Sequence, residues 1–260
     1  MSRYASPAIV VLAFGMLWIP FGQHEFLLQH WMKVGTFMAP FLILIAVTFT
    51  SDGVVPLNAR AMAVLLWVAY IVHQFEEHWI DLYGRSYAFK PYLNDFLSNL
   101  LGQTGGAEIL SDASVFVINT SLVWLVGALA VWRGSGHIFA TLCMAAIVVV
   151  NAISHIAAGV ASQTYNPGLL TAIAVFVPLG GAVYLWSLRT DLATAALCFA
   201  SILWALLGHI FMIAGLLALN GFGHSYEPIY FAVLIAWSVL PCFLFPTTAS
   251  KRPTGMISAN

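Results

Sequence analysis

Apolar runs of about 20 residues, the length that spans a hydrocarbon core as a helix, follow one another along almost the whole chain. Only 7% of its residues are charged, against roughly 25% in an ordinary soluble domain. So few charges cannot cover a water-facing surface, and the mean hydropathy of +0.92 agrees. The sequence therefore predicts an all-α, polytopic transmembrane bundle. The runs lie near 6–22, 34–50, 56–79, 109–132, 137–161, 168–188, 193–219 and 228–246, which makes seven or eight spans in one integral membrane domain covering 1–260. Three Cys in 260 residues exclude a disulfide scaffold. Nine Lys and Arg against ten acids leave no basic patch for nucleic acid.

Turn residues punctuate the runs, as in Ser51-Asp52-Gly53, Arg133-Gly134-Ser135-Gly136, Asn166-Pro167-Gly168 and Asn220-Gly221. The first 20 residues show no small-residue cleavage site of the signal-peptide kind. The longest polar connection, 81–108, contains Tyr92–Leu101, which reads as a short amphipathic helix in the interface, as a lid or as a plain loop helix. Six basic residues (Arg3, Arg60, Arg133, Arg189, Lys251, Arg252) gather on the side of the two termini, and three (Lys33, Arg85, Lys90) on the other. The positive-inside rule then places both termini in the cytoplasm. Cys143, Cys198 and Cys242 fall at that same side.

The polar residues are distributed unevenly. Seven of the eight histidines (His24, His30, His73, His78, His155, His209, His224) and eight of the ten acids lie on the side away from the termini. Loop polarity explains acids there; it does not explain histidines inside apolar spans. The centre is His73-Gln74-Phe75-Glu76-Glu77-His78, closing the third run. At about 100° per residue, His73, Glu76 and Glu77 share an arc of about 100°. Two carboxylates at the edge of an apolar phase need a cation, a proton or a basic partner. Arg60, the one basic residue of that run, lies more than three turns away. A divalent metal, iron or zinc, suits mixed imidazole and carboxylate donors.

His155 lies about as deep below the same interface as His73, so the expected ligand set is His73, Glu76, Glu77 and His155, with Glu76 and Glu77 as the catalytic carboxylates. Asn151, four residues from His155, and Asn119 are expected to support the ligands. His24, His30, His78 and His209 are weaker metal candidates, and a packed core histidine is the plainer account of His209. The competing reading of the motif is a helix end emerging into water with a solvated acidic face.

The His73-x-x-Glu76-Glu77 pattern, with Asn151-x-x-x-His155 and Tyr165-Asn166-Pro167-Gly168-Leu169-Leu170-Thr171 downstream, resembles the HXXEE family of integral membrane proteins over about residues 60–190. Segments 1–55 and 191–250 are then additional spans outside that core. The resemblance implies a helical membrane domain with a polar site, and carries no activity with it.

Several chemistries are excluded. No Lys lies between Lys90 and Lys251, so no Schiff-base lysine sits inside the bundle. No Walker sequence, dinucleotide fingerprint, Gly-x-Ser-x-Gly elbow or selectivity filter appears. Three function classes fit: a membrane metalloenzyme oxidising, desaturating or hydrolysing a lipophilic small molecule from the bilayer; a metal or proton transporter or sensor; and a non-catalytic membrane protein with a buried polar network.

Overall fold

The computed structural model describes residues 25–50, 58–103 and 108–245, and every regular element among them is helical. We number them α1 (Glu25–Thr50), α2 (Ala59–His78), α3 (Phe89–Leu100), α4 (Asp112–Arg133), α5 (Ile138–Ser162), α6 (Leu169–Arg189), α7 (Ala195–Phe222) and α8 (Glu227–Val239). Six of them are long and apolar enough to cross a membrane: α1, α4, α5, α6, α7, and α8 with its flanking turns. α2, with its polar end His73–His78, is not among those six. The expected run at 6–22, both termini and His24 lie outside the described residues.

Local signals account for the helix ends. Asn58, Ser111 and Thr194 accept hydrogen bonds from the backbone N–H groups of Ala61, Ser114 and Leu197, capping α2, α4 and α7. α1 begins at Glu25, well before the expected boundary near 34. Gln29, His30 and Lys33 lower the hydropathy of its first turns without breaking the helix. Pro178 has no amide hydrogen to give to the preceding turn, yet α6 is not broken there. The chain approaches it through a π-helical turn, Ala172–Phe176, and continues helical to Arg189. A second π turn, Thr120–Leu125, lies within α4.

The packing has an inside and an outside. α4 and α5 bury most of their apolar length, whereas α1, α6, α7 and α8 bury a third of it or less. α2 belongs with the enclosed helices: Ala61, Ala63, Val64 and Leu66 are fully buried. Small residues let the helices approach. A Cβ on Gly127 of α4 would lie 2.9 Å from the Trp67 ring, and one on Gly35 of α1 would lie 2.7 Å from Trp124. The polar end of α2 is thus held inside a wall of apolar helices, and Phe26, Phe37, Phe199, Ile210 and Ile229 face outward. α3 is amphipathic, as expected for the 92–101 stretch. Leu97 is buried while Leu100 is exposed, and Asn94 accepts from the N–H groups of Ile109 and Leu110, tying α3 to the start of α4.

Candidate metal centre

α2 and α5 bring three of the expected ligands together. The nearest ligand atoms of His73, Glu77 and His155 lie within 4.8 Å of one another, and all three residues are buried. His155 Nε2 is 3.0 Å from Glu77 Oε1, and His73 Nε2 is 3.4 Å from the same oxygen. Atoms about 2.1 Å from a common ion sit about 3.0–3.4 Å apart for octahedral or tetrahedral geometry. Both Glu77–imidazole spacings fall in that range. The two imidazole rings meet edge to face, 4.8 Å between centroids.

The partners of the two imidazoles fix their tautomers. Asn166 donates its amide N–H to the backbone carbonyl of His155 at 3.0 Å, which turns its Oδ1 toward His155 Nδ1, 2.6 Å away. That oxygen only accepts, so the hydrogen is on Nδ1. Thr171 directs its single hydroxyl hydrogen to Glu76 Oε2 at 2.5 Å or to the Gly168 carbonyl at 3.2 Å. Neither group can give a hydrogen back, so His73 Nδ1, 2.8 Å from Thr171 Oγ1, is the donor there. In the neutral rings both Nε2 lone pairs then face the carboxylate of Glu77. His73 Nε2 is buried with no hydrogen-bond partner among the described residues. Lone pairs converging on an anion repel unless a cation lies between them, and a divalent ion fits the donor set.

Glu76 does not join this group. On the helical wheel it lies about 60° to one side of His73 and Glu77 about 40° to the other. Glu77 therefore faces α5, and Glu76 faces the start of α6. There it accepts from the Tyr165 hydroxyl (2.9 Å), from the N–H groups of Leu170 (3.1 Å) and Thr171 (2.7 Å), and from the Thr171 hydroxyl. Four donors fill the roughly four acceptor positions of a carboxylate, and an anion at a helix N-terminus is favoured. The expected ligand is instead the cap of α6.

The other expected residues surround the group without joining it. Asn151 donates to the Tyr70 hydroxyl and reaches His73 only through that ring, 5.6 Å from it. His78 Nε2 is 3.5 Å from Glu77 Oε2 and 3.3 Å from the side-chain amide of Asn119. A chain of hydrogen bonds of one polarity ends there. Trp124 N–H donates to Gln74 Oε1, Gln74 N–H to Asn119 Oδ1, and Asn119 N–H to Val115 O and to His78 Nε2. His30 is not among the three; it lies 3.4 Å from the Tyr87 hydroxyl. His209 is bound through Nδ1 to the Ala205 carbonyl at 2.9 Å.

The sequence marks Asn166-Pro167-Gly168 as a turn but gives Asn166, Gly168 and Thr171 no part in holding the histidines. Asn166, Pro167 and Gly168 form a turn closed by the Leu169 N–H on the Asn166 carbonyl, 3.1 Å. Gly168 occupies φ +97°, ψ −13°, the third position of a type II turn, after the proline such turns favour. The Asn-Pro-Gly spacing signals that turn; nothing local to it signals that the turn closes over two histidines. Beyond the helix end, Asp81 accepts from Arg85 Nε at 2.7 Å and from the N–H groups of Tyr83 and Arg85. Burial alone would push its carboxyl up; these partners hold it below the ordinary carboxylate range.

Beside His73, Glu77 and His155 lies a cavity of about 490 Å³ with a mainly apolar lining. Glu77, His78, Asn119, Asn151, His155 and His209 supply polar groups in its wall.

Thr171→Val removes the acceptor that holds the proton on His73 Nδ1. It is expected to weaken metal binding by about 10- to 100-fold, as losing an outer hydrogen-bond partner of a ligand does. Thr171→Ser should restore it. Equal affinities of the three proteins in a chelator-competition titration would refute the role given to the hydroxyl.

Residues 64–185 match the family described as a protein of unknown function with HXXEE motif. The match contains His73, Glu77 and His155 together with Asn166, Gly168 and Thr171. Neither a curated protein nor a solved structure matches the chain.

Proposed function

We propose that this protein is an integral membrane, metal-dependent enzyme acting on a lipophilic substrate, with one divalent ion held by His73, Glu77 and His155. The reading is carried by one observation: two imidazoles whose Nδ1 hydrogens are committed elsewhere turn their Nε2 atoms onto one buried carboxylate oxygen. Three protein ligands leave positions open, as catalytic zinc and non-haem iron sites do. Such an ion supplies Lewis acidity or activates water or dioxygen. The residues around it do the rest. Thr171 and Asn166 hold the imidazoles, Glu76 holds Thr171, and the cavity gives the reacting group a mainly apolar surround. Two of the ligands, Glu77 and His155, line that cavity.

Elemental analysis of the purified protein tests the reading. About one zinc or iron per chain is expected, removable by chelator with loss of thermal stability. Metal below a tenth of that level in protein never exposed to chelator would sink it.

We further propose that α2 crosses the bilayer with the other six helices, and that the site faces away from the cytoplasm, on the six-to-three basic count. A reporter that works only in the cytoplasm, fused after Tyr83, should be silent there. An active fusion reverses the orientation.

A further inference from the structure

The cavity is long. On α5 its lining runs from Ile147 to Ala161, and on α7 from Trp204 to Leu216. At 1.5 Å per residue these stretches are roughly 20 Å long. A volume of about 490 Å³ along that length suits one extended hydrocarbon chain. His155 lies eight residues from Ile147 and six from Ala161, so the ligand group sits in the side wall, roughly 12 Å from one end and 9 Å from the other. The wall to either side of it is mainly apolar, with Asn119, Asn151 and His209 as polar interruptions. Trp204 and Ala205 mark the deep end, while Phe89 and Phe96 of the amphipathic α3 mark the end nearer the interface.

We propose that the cavity binds a single-chain lipid, one unbranched acyl chain with a small polar head. The head lies beside α3, and the chain passes the ligand group and ends at Trp204 and Ala205. This deepens the reading of the site as one acting on a lipophilic substrate. The binding itself depends on the channel's shape, not on the ion. A bilayer phospholipid carries two chains, and a volume of about 490 Å³ matches one of them rather than both. Ala205 lines the deep end, so a larger side chain there fills it. Ala161 is exposed, so a larger side chain there narrows the other end without disturbing the core.

The test is calorimetric titration of the full chain in detergent with palmitate and with octanoate, with dioleoyl phosphatidylcholine as competitor and metal content read on each sample. Palmitate should bind one per chain, resist a tenfold excess of the two-chain lipid, and bind tighter than octanoate. Ala205→Trp should weaken palmitate at least about tenfold, because several methylenes lose their burial, and spare octanoate. Ala161→Trp should weaken both alike. The proposal is overturned if the phospholipid displaces palmitate freely, if palmitate fails to bind protein that retains its metal, or if folded Ala205→Trp and Ala161→Trp both bind palmitate as the parent does. Palmitate bound by metal-free protein supports this inference while removing the metal reading.

Discussion

Glu77→Gln is expected to strip the protein of most of its metal. The substitution keeps the shape of the side chain and removes the charge on which two Nε2 atoms converge, 3.0 and 3.4 Å away. The loss should exceed the 10- to 100-fold typical of outer partners, since a direct ligand is removed. His155→Ala should match it, because it takes the donor contributed by α5. Glu76→Gln separates two accounts of the motif. If both carboxylates bound the ion, the two glutamine variants would behave alike. Glu76 spends its oxygens on Tyr165, Leu170 and Thr171, so its variant should lose affinity only as far as Thr171 shifts. Parent-level metal in Glu77→Gln, measured by elemental analysis on folded protein, would show that the cluster is balanced by protons instead.

Gly168→Ala should be as damaging, from a position that donates no ligand. A Cβ there would lie 2.7 Å from Cε1 of both His73 and His155 and 2.9 Å from Glu77 Cγ. Three buried side chains would all have to move. The backbone adds its own cost, since a non-glycine residue at φ +97° carries strain of about 1–3 kcal/mol. The variant is expected to melt several degrees lower and to bind metal at least about tenfold more weakly, because the ligands no longer share one centre. Gly181→Ala is the control, since a Cβ there meets nothing within 4 Å. If the two alanine variants melt together and bind metal equally, the turn does not shape the site.

Much of the fold and of the ligand group is legible in the amino-acid sequence, for identifiable reasons. Apolar runs set the helices, and equal depth below one interface pairs His73 with His155. The parting of Glu76 from Glu77 is not legible there. Wheel arithmetic groups residues on a face, but only the neighbours on either flank decide that α5 takes one glutamate and α6 the other. Asn166 and Thr171 are ordinary polar residues in sequence; their importance comes from contacts across 11 and 98 positions of chain. His30 resembles a member of the cluster because of its side, but position across a membrane says nothing about position around a bundle. The cavity, made by α2, α3, α4, α5, α7 and α8 together, has no local signature at all.

The hydrogen-bonded chain from Trp124 to His78 bears on proton conduction. A relay of the Grotthuss kind passes a proton only if each member can take one on one side, release one on the other, and then turn over. An indole N–H cannot accept, and neither side-chain amide in this chain exchanges its donor for its acceptor role without breaking both of its bonds. Trp124 thus sets a one-way polarity that Gln74 and Asn119 hand on unchanged. On that flank the buried carboxylate and imidazoles are insulated, while the cavity and the Tyr165 side of the motif lie on other flanks.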